Sequence, residues 1–168
     1  MSNTGSMPNF GGLGRDDQVF IGAGALGFIF TFIAFAHIKI AGFGSDTASA
    51  WHGIGSFAAL LLLAATVVGA VAAMSPSSMP NLPIGVRVLA LGLSVLAFVF
   101  FIIRWVTLPG GDVLGHHYGY SLYWGGYILL ILNLVQIGFG FKLMRASGES
   151  LPWEGGNAAP PPPAPPAA

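Results

Sequence analysis

Four long apolar runs, Val19–Ile40, Ile54–Ala73, Ile84–Leu108 and Leu122–Met144, take up most of this chain. A bilayer core about 30 Å thick is crossed by roughly 20 helical residues, and each run supplies that length. The pattern predicts an all-α membrane protein, an antiparallel four-helix transmembrane bundle with disordered N- and C-terminal segments. The expected organisation is a flexible segment over 1–17, a four-helix domain over 18–145 and a proline-rich tail over 146–168. The expected spans are residues 19–40, 54–73, 84–108 and 122–144.

Composition agrees with that solvent. Only 7% of the 168 residues are charged, whereas soluble domains carry about 25%. Six basic and six acidic side chains cancel, which argues against a nucleic-acid partner. The absence of cysteine excludes disulfides, thiolate metal sites and cysteine nucleophiles. Met1–Asp17 is polar and glycine-rich, with no basic region before the first apolar run. That run is also too long for a signal peptide, so it is expected to persist as a helix.

Breaks between the runs are written in local chemistry. Asp16 and Asp17 stand where a helix should begin, favouring the positive end of its dipole. Prolines 76, 80 and 83 stop the second run, and Pro109–Gly110–Gly111 stops the third. The run AAPPPPAPPAA over residues 158–168 favours polyproline II; it reads as a disordered tail or as a ligand for an aromatic-lined groove. Arg15, Arg87, Lys142 and Arg145 fall on one side of the expected bundle, with Lys39 and Arg104 on the other. That excess places both termini in the cytoplasm of a multi-pass cell-membrane protein. Trp51, Trp105, Tyr118, Tyr120, Tyr123 and Trp124 gather near the opposite boundary as an interfacial belt, with Trp153 as an inner counterpart.

Each run also carries one stripe of small residues that permits close helix approach. These are Gly24, Gly27, Thr31 and Ala34 in the first and Ala65, Gly69 and Ala73 in the second. The third aligns Ala90, Ser94, Ala97, Phe101 and Arg104, and the fourth Gly126, Asn133 and Gly140. The glycines at 24, 27, 69, 126 and 140 are the expected packing positions.

Three groups of residues carry candidate chemistry. Arg104 lies about one turn, roughly 6 Å, from the end of its span. It reads as an anion contact, as a partner of Asp112 or Asp46, or as a long side chain reaching the headgroups. His37, His52, His116 and His117 share one side with Asp46 and Asp112. Imidazole and carboxylate suit a transition metal or a pH-responsive patch, but the spacing matches no metal motif, and no bound metal or cofactor is expected. Asn133 and Gln136 sit three apart at mid-span, sharing a face for interhelical hydrogen bonds or for a polar substrate. The stretch GAGALG over 22–27 departs from the dinucleotide fingerprint and follows no strand.

Four short motifs complete the reading: AWHG at 50–53, LPGG at 108–111, GYSLY at 119–123 and the proline-rich tail. In this layout, covering residues 17–145, the chain resembles small four-span membrane proteins of actinobacteria, among them relatives of the mycobacterial 34-kilodalton antigenic protein. His37-Ile38-Lys39 departs from that pattern, where a Pro-Trp-like pair is expected. The resemblance implies a cell-envelope location and carries no reaction onto particular residues. Two functional readings follow. One is a non-enzymatic accessory subunit of a larger membrane complex, partnered by the bilayer and other integral membrane subunits. The other is a small homo-oligomeric transporter or channel built around Arg104, Asn133 and Gln136.

Overall fold

The computed structural model describes residues 10–40, 44–75, 84–113, 116–149 and 151. Four α-helices are present: α1 (Arg15–Phe30), α2 (Ile54–Met74), α3 (Val86–Val106) and α4 (Trp124–Ala146). Helices α2, α3 and α4 are each long and apolar enough to cross a membrane. Helix α1 has 16 residues and is shorter than the 22-residue run from which it was expected. Packing runs round a ring, with α1 against α2 and α4, and α3 against α2 and α4.

The expectation of an all-α chain is overturned. Four strands, β1 (Ala34–Ile40), β2 (Gly44–Ser49), β3 (Gly110–Val113) and β4 (His116–Leu122), form one antiparallel sheet in the order β2-β1-β4-β3. The first and third connections fold as hairpins, β1–β2 and β3–β4, and β1 pairs with β4 to join them; most of the second connection, between α2 and α3, lies outside the described residues. The physical reason lies in periodicity. Val19–Ile40 is continuous in hydropathy, but after Phe30 its pattern changes from helical to alternating. Ala36, Ile38 and Ile40 alternate with His37 and Lys39, the two-residue period of a strand. Tyr118, Tyr120 and Leu122 alternate with Gly119 and Ser121 in the same way. Leu122, expected to open the fourth span, instead ends β4, and Tyr123 precedes the first turn of α4.

Burial grades along the sheet. Ala36 and Leu122 face each other across β1 and β4, and both are buried with Ala50, Phe101 and Leu129 in the main core. Farther from the helices, Lys39, Ser45, Asp46 and Thr47 are exposed. The sheet thus plugs one end of the bundle with its apolar part and offers polar side chains beyond it.

Several residues of the small-residue stripes stand at helix contacts, while Ala73 and Arg104 are only partly buried. Phe20 of α1, almost wholly buried, fills a slot whose walls are Gly69 of α2 and Gly140 of α4, and a Cβ at either would collide with its ring. Gly27 rests on Leu62, and Gly126 lies against Leu122 and the carbonyl of Phe35. Ala90, Ser94, Ala97 and Phe101 of α3 are all buried. Ala34 leaves its stripe, because it begins β1. The start of α1 has the two carboxylates at the positive end of the dipole, as expected, without a side-chain cap. Gly14 occupies the N-cap position without a side-chain hydrogen bond, and Asp16 and Asp17 stand in the first turn. The segment over 1–17, expected to be flexible, is in part helical: Phe10–Gly12 form a 3-10 helix and residues 15–17 already belong to α1, while residues 1–9, most of the expected proline-rich tail and Trp153 lie outside the described residues.

Candidate functional site

The buried polar centre of the bundle is where three helices bring uncharged side chains together. Thr66 on α2 donates through Oγ1 to the carbonyl of Leu62 at 2.8 Å. Gln136 on α4 donates through Nε2 to the same Oγ1 at 3.0 Å. Gly24 on α1 supplies the space, since a Cβ there would strike both Thr66 Oγ1 and Gln136 Nε2. Asn133, one turn earlier on α4, is fully enclosed, but among the described residues neither its Nδ2 nor its Oδ1 has a hydrogen-bond partner; Gln136 Oε1 is likewise unpaired among them. The expected interhelical bond is therefore made by Gln136 and not by Asn133. Ser94 on α3 satisfies itself by donating to the carbonyl of Ala90 at 3.0 Å. These groups can donate and accept hydrogen bonds, and none can act as an acid or base near neutral pH.

At the sheet end, the expected histidine–carboxylate cluster divides. His37 pairs in register with Thr47 and Ser121, whereas Asp46 pairs with Ile38. Adjacent positions on a strand face opposite sides, so His37 and Asp46 do not converge. The His37 ring lies 5.3 Å from that of Tyr123. His52 is exposed beside the carbonyl of Ser49, between β2 and α2. Asp112 pairs in register with His117, and Val113 with His116, and the side chains at 112, 116 and 117 lie outside the described residues. Among the described residues, no three histidine or acidic side chains group as a metal site. Arg104 stands in the last turn of α3, its Cγ near the close contact of Gly55 with Ala50. Its Nε is buried without a hydrogen-bond partner, and it forms no ion pair with Asp46 among the described residues.

The opposite end is held by charge, as the sequence reading did not foresee. Asp17 Oδ1 meets Arg87 Nη1 at 2.7 Å, with both side chains mostly buried. The contact is off hydrogen-bond geometry, which leaves charge to hold it. Asp16 and Lys142 meet at 2.9 Å on a more exposed surface. Glu149 Oε2 accepts the backbone N–H of Val88 at 3.0 Å, setting a carboxylate at the positive end of the α3 dipole. The only signal for these pairs in the sequence was that Asp16, Asp17, Arg87, Lys142 and Glu149 all belong to one side of the spans.

No protein-family model, curated protein or solved structure matches this chain.

Proposed function

We propose that this protein is a non-enzymatic, multi-pass protein of the cell membrane that serves as an accessory or stabilising subunit of a larger transport, respiratory or envelope complex. Three helices of spanning length support the membrane part of this reading. The basic residues Arg15, Arg87, Lys142 and Arg145 on the α3 N-terminal side favour cytoplasmic termini. The envelope location fits the resemblance carried by the AWHG, LPGG and GYSLY motifs.

One observation carries the subunit reading. Asn133 and Gln136, the amides at mid-span, are both 0% exposed. A transport path places polar or ionisable groups along a water-filled route, commonly between broken helices. Here α2, α3 and α4 run unbroken through the span, and the amides are sealed among Gly24, Thr66 and their neighbours. The exposed polar strand β2 offers a partner a surface outside the bilayer. The rival, a homo-oligomeric transporter, requires Arg104, Asn133 and Gln136 on a shared path.

Affinity purification in mild detergent tests the reading. A larger membrane protein recovered in fixed stoichiometry is the expected result. Recovery of a pure homo-oligomer that conducts a solute in vesicles would replace this reading with the transport one.

A further inference from the structure

The two arginines of α3 differ in their surroundings. Arg87 is neutralised by Asp17 at 2.7 Å. Arg104 is half-buried, and among the described residues no ion pair, hydrogen bond or aromatic ring engages its guanidinium. Its Nε has no exposed surface and no partner. An arginine that merely reaches past a membrane boundary keeps its charged head in water, so the enclosed Nε sets this one apart. Charges held inside proteins are ordinarily paired, and one left without a counter-ion is destabilising. The position calls for an anion.

The side chain lies against the start of α2. Its Cγ is 3.5 Å from where a Cβ on Gly55 would stand, and that Cβ would also strike the carbonyl of Ala50. Only glycine lets the arginine stem and the first turn of α2 approach so closely. The 21-residue helix has Gly53 as its N-cap, without a side-chain hydrogen bond, and no acidic residue in its first turn. The N–H groups of Gly55 and Ser56 donate to the carbonyls of His52 and Gly53 at 3.3 and 3.2 Å, while those of Gly53 and Ile54 have no acceptor among the described residues. Free N–H groups at the positive end of a helix dipole favour an anion. Asp46, the one carboxylate in the connection before α2, is engaged with its own strand, accepting the N–H of Thr47 at 2.7 Å.

Depth narrows the choice of anion. Arg104 lies about 26 Å along α3 from Arg87 at ~1.5 Å per residue, close to the ~30 Å thickness of a hydrocarbon core. The neighbouring Trp105 meets Tyr127 edge to face, with ring centroids 6.3 Å apart, and such rings favour headgroup depth. Phosphate is the abundant anion there, and the planar guanidinium fork matches its oxygens.

We propose that Arg104 and the first turn of α2 form an anion site for one phosphate group, at the bilayer boundary on the side of the sheet. A phospholipid headgroup and free inorganic phosphate both carry that group. The headgroup source rests on the membrane reading above; the site does not depend on the subunit reading.

Thermal melts and native mass spectrometry of the full chain, delipidated in a neutral detergent, test the site. The probes are phosphatidylglycerol, inorganic phosphate and a diglycosyl diacylglycerol, which has no phosphate. Wild type should retain one phosphatidylglycerol and melt higher with it, and the glycolipid should give neither effect. Arg104→Gln should melt no lower than wild type without additive, show no rise, and retain at least tenfold less lipid. Arg104→Lys keeps the charge and loses the fork, so its retention should fall between. Lys39→Gln removes an exposed cation from the same side and should retain lipid as wild type does. A rise with inorganic phosphate that Arg104→Gln abolishes assigns free phosphate, and a rise with phosphatidylglycerol alone assigns the headgroup. Equal retention and equal rise in wild type and Arg104→Gln would overturn the proposal. So would unchanged retention in Arg104→Gln together with loss of a co-purifying membrane protein, which would give Arg104 to a partner's carboxylate. A wild-type chain that resists alkaline washing of membranes yet responds to neither phosphate source refutes only this site, and one that washes off refutes the membrane reading as well.

Discussion

The indole N–H of Trp51 donates a 2.9 Å hydrogen bond to the hydroxyl of Thr31. Thr31 stands where α1 gives way to the sheet, and it is fully buried. Its own hydroxyl donates to the carbonyl of Phe28 at 2.6 Å, and its carbonyl accepts the N–H of Ala50 at 3.1 Å. Phe32 stacks on the same indole at 5.0 Å. These contacts lock the exit of α1 to the entry of α2, with the β1–β2 hairpin between them.

Replacing Thr31 with Val keeps the shape and leaves the indole donor unpaired. A hydrogen bond contributes about 1 kcal/mol, and a stranded buried donor costs about 1–3 kcal/mol. Thr31→Val should therefore lower the thermal midpoint in detergent. Trp51→Phe on that background should cost less than on wild type, because the bond is already gone. Additive losses would show that the two residues act independently.

Gly24 and Gly22 make a matched pair on α1. A Cβ at Gly24 would collide with the Thr66–Gln136 hydrogen bond, while one at Gly22 meets nothing within 4 Å. Overpacking costs about 1–3 kcal/mol, so Gly24→Ala should destabilise clearly. Gly22→Ala should be neutral or gain up to about 1 kcal/mol from helix propensity. Equal effects would place the α1–α2–α4 contact elsewhere.

Asn133 should respond in the opposite sense to a working polar contact. Its amide has no hydrogen-bond partner in the enclosed centre, and an unsatisfied buried polar group costs about 1–3 kcal/mol. Asn133→Leu should leave stability unchanged or raise it, with complex recovery intact on a native gel. Gln136→Leu removes the bond to Thr66 and should lower stability. A large loss for Asn133→Leu would mean that its amide is engaged.

The two ion pairs rank by burial. Arg87–Asp17 is mostly buried, with side-chain exposures of 16% and 17%, against 65% and 32% for Lys142–Asp16. Exposed pairs contribute at most about 1 kcal/mol, and breaking a buried one costs about 3–5 kcal/mol. Asp17→Asn should cost on the order of 2 kcal/mol, between those limits, and Asp16→Asn well under 1 kcal/mol. Thermal melts at low and high salt check the order, and the Asp16 effect should shrink with salt.

Hydropathy made the helical part legible in the sequence. The runs at 54–73, 84–108 and 122–144 correspond to α2, α3 and α4 within a few residues, and their small-residue stripes face inward. The sheet was hidden because a mean over Val19–Ile40 is apolar whether its end coils or extends. The alternation of Ala36, Ile38 and Ile40 with His37 and Lys39 was visible, but its pairing partners in β4 lie about eighty residues later and no local rule joins them. The polar centre was half legible. Spacing put Asn133 and Gln136 on one face, but only packing against Gly24 and Thr66 decided which amide found a partner. The histidines shared a side in sequence, and the strand register then separated His37 from Asp46.

The two connections meet in one sheet, and that sets where α1 ends and which polar side chains stand beyond the bundle. His37 and Ser121 are directly paired across β1 and β4, a geometry with Cα atoms about 4.5–5.5 Å apart and within the reach of a disulfide. The chain has no cysteine of its own, so a double substitution, His37→Cys with Ser121→Cys, reports on this contact alone. Mild oxidation in membranes should convert the pair almost completely into an intramolecular disulfide, seen as a reducible gel shift and loss of maleimide labelling. If both cysteines remain free to react with maleimide after oxidation, β1 does not lie beside β4, and the single sheet that closes the bundle is wrong.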